Sequence, residues 1–236
     1  MINVAVIGAH GKMGNITTAT VNAADNLNLV ASLGRGDSLS EMIDSIKPDV
    51  VVDFTLPDCV FANAQCIIEH GAHPIIGTSG LTLPQIDTLT QACAEKGIGG
   101  LIVPNFSIGA ILMMQFAEKA ARLLPQAEII EMHHEQKVDA PSGTARRTAE
   151  MLAPYQQESH QQQDTFHYQG VPIHSVRLPG LFAHQAVVFT GLGETLTIKH
   201  DATDRASMMK GIQLACEHVS QLSTCHYGLE HLLNQL

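Results

Sequence analysis

Two adjacent histidines, a lysine and a Ser-Gly-Thr turn stand close together in the stretch EMHHEQKVDAPSGTARR, residues 131–147. A histidine such as His133 can supply a proton near neutral pH, and Lys137, four residues later, can hold a carboxylate. Gly143 and Thr144 lie at the predicted start of a helix, where backbone N–H groups bind anions. The stretch therefore predicts a site that binds a dianion and delivers a proton to it.

Each of these residues also has a plainer interpretation. His133 and His134 can be a surface pair at the end of a strand. Lys137 can be solvated, and Ser142 can be a helix N-cap with no other role. Histidine and glutamate are also metal ligands, but the H-E-x-x-H spacing and a cysteine pair are both absent, so no metal site is predicted. The coincidence of all these residue types in one segment favours a catalytic and substrate-binding site over these plainer interpretations.

A glycine-rich turn near the start of the sequence predicts a second binding site. The stretch VAVIGAHGKMG places Gly8, Gly11 and Gly14 directly after an apolar strand and at the start of a helix. Glycines permit a tight turn and let the backbone approach a pyrophosphate, which the helix N-terminus then binds. The spacing is G-x-x-G-x-x-G rather than G-x-G-x-x-G, so an ordinary strand-to-helix turn is the alternative. Its position at the head of a series of strands and helices favours a dinucleotide.

The loop after the second predicted strand bears on which dinucleotide binds. An acid at this position would hold the adenosine ribose hydroxyls of NADH, whereas an arginine would accommodate the extra phosphate of NADPH. The sequence here is Gly34-Arg35-Gly36-Asp37, so the arginine comes first and the acid two residues later. We therefore expect NADPH to be preferred, with NADH as the second cofactor. The alternative for Arg35 is a solvated loop residue.

The elements that must position these groups follow from hydrophobic patterning. Over the first hundred residues, short β-rich runs alternate with helical stretches, which predicts a parallel sheet with its ligands at the carboxyl ends of the strands. The strand ends GTSG (77–80) and VPNFSIG (103–109) share that edge of the sheet. Plain loops are the alternative for both.

The pattern changes after Pro104. A helix is predicted from about Gly109 to Leu124, then the strand AEIIEMHH, a helix over about 144–152 and a polar connection over 154–170. The runs HQAVVFTG and ETLTIKHD flank GLG and predict a hairpin, and helical spacing returns from Arg205 to about Leu222.

The predicted fold class is therefore α/β, with a Rossmann-like parallel sheet domain and a smaller α+β domain that contains a mixed or antiparallel sheet. Residues 1–107 form the predicted dinucleotide-binding domain, completed by C-terminal helices over 206–236. Residues 108–205 form the predicted substrate-binding and oligomerisation domain.

Composition excludes several classes of protein. The 236 residues carry 13 Lys and Arg against 23 Asp and Glu, a net charge of −10, which disfavours nucleic-acid binding. No apolar run approaches the roughly 20 residues that cross a bilayer, and the first residues lack a basic signal region, so we expect a cytoplasmic protein without a membrane partner. The five cysteines are scattered and odd in number, so no disulfide framework is expected.

Several motifs together resemble one family, the dihydrodipicolinate (4-hydroxy-tetrahydrodipicolinate) reductases of lysine biosynthesis. The shared stretches span nearly the whole chain and are GAHGKMG, VDFT, GTSG, PNFS, EIIEMHHEQKVDAPSGTA, HSVRLPGLFAHQAVVF and TLTIKHDATDR. The His-His-x-x-Lys-x-Asp-x-Pro-Ser-Gly-Thr string is the most specific of them. The resemblance implies NAD(P)H-dependent reduction of 4-hydroxy-tetrahydrodipicolinate to tetrahydrodipicolinate in the diaminopimelate and lysine pathway, by a homotetramer.

The resemblance also implies roles for individual residues. His133 matches the proton donor of the family, and Lys137 matches its second catalytic residue. The substrate carboxylates would be held by His134, Lys137, Gly143 and Thr144. The matched cofactor-binding residues are Gly8, Ala9, His10, Gly11, Lys12, Met13, Arg35, Gly77, Thr78, Ser79, Val103, Pro104, Asn105 and Phe106. Gly34 replaces the ribose-binding acid of the family, and subunits would meet along the stretch that contains Arg177 and His184.

Two other functions fit a dinucleotide-binding fold. A dinucleotide-sensing regulator would need an output module such as a basic helix-turn-helix, and it would have no use for His133 and Lys137. An amino-acid dehydrogenase of similar two-domain build is disfavoured by the Ser-Gly-Thr signature. The sequence therefore favours the reductase.

Overall fold

Both ends of the chain contribute to one parallel sheet. The structure is a computed structural model that describes residues 1–157 and 165–233, and it divides into two compact units. The first unit comprises Met1–Ser107 and Met208–Leu236, and the second comprises Ile108–Ser207.

The six strands of the first unit all pair in parallel. They are β1 (Ile2–Ile7), β2 (Leu27–Leu33), β3 (Val50–Asp53), β4 (His73–Ile76), β5 (Gly100–Ile102) and β11 (Cys225–Tyr227), in the order β11-β5-β4-β3-β1-β2. The residues of β3 and the last four of β1 are buried, because parallel strands are covered by helices on both faces.

The helices of this unit are α1 (Lys12–Ala23), α2 (Leu39–Ile46), α3 (Pro57–Glu69), α4 (Leu83–Lys96), α7 (Met209–His218) and α8 (Glu230–Leu233). The sequence marks both ends of α4. This helix starts with a Thr82–Gln85 capping box and ends at Gly97, which has the left-handed conformation. Aliphatic side chains of α2, α3 and α4 pack on the sheet, with Ile43, Ile67 and Leu89 buried. The predicted Rossmann-like parallel sheet is confirmed.

The prediction for the C-terminal part was incomplete. Helical structure occurs there, as a 3-10 helix at Arg205–Met208, then α7 and a second 3-10 helix at Val219–Gln221. The chain then forms β11, which pairs with β5, whereas only helices were predicted. A three-residue strand has no readable periodicity, so its pairing comes from tertiary structure.

The second unit contains a mixed sheet and two described helices, α5 (Ile108–Ala121) and α6 (Gly143–Leu152). Its strands, in the order β10-β9-β6-β8-β7, are β6 (Gln126–His133), β7 (Phe166–Tyr168), β8 (Val171–Arg177), β9 (Ala183–Gly191) and β10 (Glu194–Ala202). Only the β6–β8 pair within this described sheet is parallel. The predicted mixed sheet and the β9–β10 hairpin are confirmed.

One face of this sheet packs against the helices. Ile129, Val187 and Phe189 on that face are fully buried. The Gln185 side chain on the same face donates a 2.7 Å hydrogen bond from Nε2 to the hydroxyl of Thr148 in α6. The predicted polar connection over 154–170 contains β7, and its residues 158–164 lie outside the described part of the chain.

Candidate functional site

The second unit positions a carboxylate and an imidazole on the same face of β6. Side chains two residues apart in a strand share a face, so Glu131 lies beside His133. The Glu131 side chain is fully buried, and its Oε2 lies 2.5 Å from Nδ1 of His133. An ionised carboxylate can only accept hydrogen bonds, so Nδ1 of His133 carries the proton and Nε2 is left for other partners.

Arg177 is the second partner of Glu131. It lies opposite His133 in the parallel β6–β8 pair and donates 2.7 Å and 3.0 Å hydrogen bonds to the two carboxylate oxygens. Burial would raise the pKa of Glu131, but the hydrogen bonds from His133 and Arg177 outweigh it and lower the pKa to about 2. The ionised carboxylate therefore stabilises the fold above about pH 4.5, the ordinary range for Glu, and this contribution is lost as the pH falls towards 2.

The loop between β6 and α6 carries the predicted lysine. The backbone N–H of Lys137 donates to the carbonyl of His134, and its ammonium pairs with Asp139 at 2.7 Å. Burial would raise the pKa of Asp139, but the hydrogen bond and charge of the Lys137 ammonium lower it. Arg177 also reaches this loop and donates to the carbonyl of Asp139 at 2.7 Å.

His134 and the start of α6 complete the predicted substrate residues. Nδ1 of His134 is buried and has no hydrogen-bond partner in the described part of the chain, a situation that calls for a ligand or water. Ser142 is the N-cap of α6 and accepts from the N–H of Ala145 at 3.2 Å. Gly143 is exposed, with open space where a side chain would be, and Thr144 follows it as the second helical residue. These predicted residues thus all fall within one strand–loop–helix segment.

Glu131 and Arg177 were not predicted as site residues. The two-residue spacing from Glu131 to His133 was a usable signal, because alternation places both side chains on one face of a strand. Arg177 carried no such signal, because its partnership with Glu131 depends on the register between strands 46 residues apart.

In the first unit, the predicted glycine turn has the shape that a dinucleotide requires. Gly8 has φ +72°, and a Cβ there would collide with the carbonyl of Phe54. A Cβ at Gly14 would collide with the carbonyl of Gly8, so the helix start packs directly on the turn. Gly11 is the N-cap of α1 and supplies no side-chain cap, so backbone N–H groups at Lys12 and beyond suit a pyrophosphate.

A cavity of about 680 Å³ opens at this turn, within the first unit. It is lined by residues after three strands, among them Gly8, His10, Arg35, Asp37 and Phe54. This position is the carboxyl end of β1, β2 and β3, where the strand order reverses and dinucleotides bind. A cavity of about 720 Å³ lies at the opposite, amino-terminal ends of the strands, and its glycine, Gly71, follows α3 and leads into a strand rather than into a helix start. The residues present therefore fit a dinucleotide at the first cavity.

The predicted cofactor residues fall into two groups. Those of the first group, Gly8, His10, Gly11 and Arg35, line the cavity, and Ala9, Lys12 and Met13 belong to the same turn and helix start. The second group follows β4 and β5 at the same edge of the sheet and does not line that cavity. Its members are Gly77, Thr78, Ser79, Val103, Pro104, Asn105 and Phe106.

Phe54 and Asp53 connect these two groups. The ring of Phe54 lies 5.6 Å from that of Phe106, and a Cβ at Gly77 would collide with the Phe54 ring. The buried Asp53 accepts hydrogen bonds from the hydroxyls of Thr55 and Thr78, at 2.6 Å and 2.8 Å. Through these two hydrogen bonds, Asp53 at the end of β3 links the loop after β3 to the loop after β4. Asp53 belongs to the VDFT stretch, but its role in connecting these loops was not predicted from the sequence.

The residue after β2 is Gly34, whereas the resemblance implies an acid that binds the ribose at this position. A Cβ at Gly34 would lie 2.6 Å from Cδ2 of His10, so the imidazole fills the space of a side chain at position 34. The Asp37 carboxylate accepts a 2.7 Å hydrogen bond from the N–H of Gly34. Arg35 lies between them in sequence and is exposed.

Among the described residues, the cysteines form no disulfide and the metal-ligating side chains form no cluster that could hold an ion. The cysteines Cys59, Cys66, Cys93, Cys216 and Cys225 are free thiols. No group of three or more His, Cys, Asp or Glu side chains in the described ranges could hold a metal ion. The described helices include none that is long and apolar enough to cross a membrane.

Comparison with known proteins places both units in one family. A family model described as dihydrodipicolinate reductase, N-terminus, matches residues 2–106, and one described as dihydrodipicolinate reductase, C-terminus, matches residues 109–233. The 4-hydroxy-tetrahydrodipicolinate reductase of Coxiella burnetii (strain Dugway 5J108-111) is 49% identical over 239 residues, which cover 98% of this chain and 99% of the relative.

Solved structures agree with the family models. Dipicolinate-bound dihydrodipicolinate reductase from Paenisporosarcina sp. TG-14 superposes with a TM-score of 0.91 at 39% identity, covering 98% of this chain and 99% of that one. GenD2 from gentamicin A biosynthesis, solved with NAD, has a TM-score of 0.69 at 12% identity, covering 98% of this chain and 90% of that one. The second likeness shows the fold alone.

The Rossmann-like unit and these matches define an oxidoreductase that uses a pyridine nucleotide. The chain belongs to the dihydrodipicolinate reductase family, and the resemblance that its motifs predicted is confirmed. The regulator and the amino-acid dehydrogenase are no longer needed as alternatives.

Proposed function

We propose that this chain reduces 4-hydroxy-tetrahydrodipicolinate to tetrahydrodipicolinate with NAD(P)H, a step of diaminopimelate and lysine biosynthesis. The net reaction takes up one hydride and one proton and releases the 4-hydroxyl group as water. The observation that carries the proposal is the segment from Glu131 to Thr144, where an oriented imidazole, an ammonium and a helix start follow one another in the second unit. The relative from Coxiella burnetii bears the name of this activity, and the Paenisporosarcina structure holds dipicolinate, a dicarboxylate of related shape.

The residues of the first unit would hold the cofactor at the glycine turn. Backbone N–H groups from Gly8 to Met13 would bind the pyrophosphate, and the loops at 77–79 and 103–106 would bind the nicotinamide end. When bound, the nucleotide supplies the hydride.

The residues of the second unit would bind the substrate and supply the proton. His134 and Lys137 would hold one carboxylate, with the Lys137 ammonium exchanging its Asp139 partner for the substrate. Gly143 and Thr144 at the start of α6 would bind the other, because helix N-termini favour anions. In its doubly protonated form, His133 would donate the proton that it carries on Nε2 and return to the neutral ring, because the Nδ1 proton stays in the hydrogen bond to Glu131.

We also propose that NADPH is preferred over NADH. The support is the loop after β2, where Arg35 lines the cavity and no carboxylate side chain stands at position 34. The nearest acid, Asp37, is engaged by the N–H of Gly34. A 2′-phosphate would therefore meet a guanidinium and an imidazole, while a ribose diol would lack a dedicated acceptor.

We also propose that the chain is a cytoplasmic homotetramer. A homotetramer and a cytoplasmic location are what the resemblance implies. Support for assembly comes from the sheet face of the second unit opposite to α5 and α6, where Ile130, Met132, Val176 and Val188 are only half-buried. The net charge of −10 argues against nucleic-acid partners.

The activity is tested by mixing the purified chain with NADPH and freshly generated 4-hydroxy-tetrahydrodipicolinate and following NADPH absorbance. We expect rapid oxidation by the wild type. His133→Gln should lower kcat by about 10²- to 10⁴-fold, the usual loss for a general acid, and leave the Kd for NADPH unchanged. A wild type that does not oxidise NADPH would refute the proposed reaction, and a His133→Gln variant with the wild-type rate would remove His133 from it.

A further inference from the structure

Resting on the proposed function, we infer that Glu131, clamped by Arg177, is a positioning residue that fixes the ring of His133 and the loop carrying Lys137. Neither Glu131 nor Arg177 belongs to the residues assigned above to substrate or cofactor. The inference depends on three observations within the second unit: the burial of Glu131, its contacts with the imidazole, and the reach of Arg177 to the loop.

A fully buried glutamate is costly and needs a reason. Removing a carboxylate from water is unfavourable by several kcal/mol in general, and a hydrophobic pair of similar size is often as stable. Glu131 lies in a strand whose other inward side chains, Ala127 and Ile129, are apolar. A charge at this position is therefore better explained by what it does to its neighbours than by the stability of the sheet.

The contact with Glu131 determines which ring nitrogen of His133 carries the proton. Oε2 of Glu131 lies 2.5 Å from Nδ1 of His133, and the carboxylate stays ionised because its pKa is lowered to about 2. The ring must then keep its proton on Nδ1 in the neutral form, which leaves Nε2 as the nitrogen that loses and regains a proton. Without the carboxylate, the ring would be free to rotate and to exchange tautomers.

Arg177 extends the same network to the loop. One of its nitrogens donates to Oε1 of Glu131 and to the carbonyl of Asp139, both at 2.7 Å. Asp139 in turn holds the Lys137 ammonium through its carboxylate. The backbone next to the carboxylate-binding lysine is thereby fixed to the carboxylate that orients the imidazole.

The same strand provides a matched control. Glu128 also contacts a histidine, His174, with its Oε2 2.8 Å from Nε2 of the ring. This pair lies on the opposite face of β6, and its side chains are 50% and 39% exposed. Glu128→Gln thus makes the same chemical change on the same strand without touching His133.

The experiment compares Glu131→Gln with Glu128→Gln. We expect Glu131→Gln to lower kcat at saturating substrate by about 10- to 100-fold, the range known for carboxylates that orient metal-bound histidines, and to leave the Kd for NADPH unchanged. Nitrogen-15 NMR of the histidine rings should show His133 with its proton on Nδ1 in the wild type and a mixture of tautomers in Glu131→Gln. Glu128→Gln should change neither kcat nor the His133 signals.

Glu131→Gln leaves the Arg177 guanidinium without a counter-charge, and the double variant Glu131→Gln/Arg177→Met removes that uncompensated charge. The double variant should show the same tautomer mixture. An unchanged His133 tautomer in a folded variant, or a kcat equal to that of Glu128→Gln, would overturn the inference. The NMR readout needs neither substrate nor cofactor, so an inactive wild type would refute the proposed function while the ring signals still decide the role of Glu131.

Discussion

Position 34 shows how an absent side chain can set cofactor preference. Gly34 stands where the resemblance predicts a ribose-binding acid, and the His10 ring fills the space that such a side chain would need. Restoring the acid alone would force Cβ to within 2.6 Å of the imidazole, so the ring must first move. Gly34 and His10 are therefore expected to act as a pair in choosing between NADPH and NADH.

We predict that Gly34→Asp and His10→Ala are not additive in their effect on cofactor preference. The quantity to measure is the ratio of kcat/KM for NADPH to that for NADH in the wild type, both single variants and the double variant. The double variant should favour NADH beyond the product of the single effects by about fivefold or more, as residues in contact usually couple by about 1 kcal/mol.

Gly34→Ala is the control for this cycle, because it adds the Cβ without the charge and should not increase the use of NADH. Arg35→Ala should lower the NADPH preference separately. Additive effects of Gly34→Asp and His10→Ala would show that the two residues choose the cofactor independently. An NADPH preference untouched by Arg35→Ala would remove Arg35 from phosphate binding.

At the level of residues, the sequence was informative where a motif is local. His133, Lys137 and Gly143 were predicted because they follow one another along 11 residues with recognisable chemistry. The buried state of Glu131 and its clamp by Arg177 depend on the pairing of β6 with β8, and a carboxylate in an alternating strand is normally taken for an exposed one. The residues proposed to orient the imidazole were therefore harder to find than those proposed to bind substrate and donate the proton.

At the level of secondary structure, the helices and strands that begin with strong local signals were predicted, and two of the three-residue strands were missed. The first five strands of the parallel sheet are apolar runs that end in glycine or polar turns, so they can be read directly. The strands β7 and β11 have three residues each. Cys225 in β11 pairs with Gly100 across more than half the chain, and no local pattern reports that contact.

The start of α6 offers a prediction at this level. Ser142 is a buried N-cap, and its loss should lower the free energy of unfolding by about 1 kcal/mol. Because the same turn presents Gly143 and Thr144 to the proposed carboxylate, Ser142→Ala should also raise the KM for the dicarboxylate. Urea unfolding and steady-state kinetics measure the two effects.

The matched control is Ser38, which caps α2 in the other unit and accepts from the N–H of Glu41 at 3.5 Å. Ser38→Ala should cost stability as well, but it should leave the KM for the dicarboxylate unchanged at saturating cofactor. If Ser142→Ala loses stability with no change in that KM, the start of α6 is a structural element and the second carboxylate binds elsewhere.

At the level of the whole molecule, the proposed cofactor site and the proposed substrate site belong to different units of the chain. It leaves the first unit at Ser107 and returns to it at Met208, so the second unit is an insertion within the sequence of the first. Each unit has one sheet, but the two sheets are covered differently. The parallel sheet has helices on both faces, whereas both described helices of the second unit contact one face of its mixed sheet through Met113 and Thr148.

Assembly is predicted at the face of the mixed sheet opposite to α5 and α6. Along β6 this face presents Ile130 and Met132, which are half-buried, beside the carboxylate–imidazole pairs Glu128–His174 and His184–Asp201. Apolar side chains framed by charges on a sheet face are typical of a subunit interface, where burial of the apolar part drives association. With the homotetramer that the resemblance implies, we expect a particle of about 100 kDa in solution, four times the 25.4 kDa chain.

Ile130→Glu should dissociate this particle, because it places an unpaired charge at the centre of the proposed interface. Light scattering after size exclusion would then show a smaller mass, with the fold retained by circular dichroism. Leu123→Glu is the control, because Leu123 is 84% exposed and follows α5, away from this face, and its variant should keep the mass of the wild type. A wild type that is already monomeric, or an Ile130→Glu variant that keeps the full mass, would show that this face of the sheet does not join subunits.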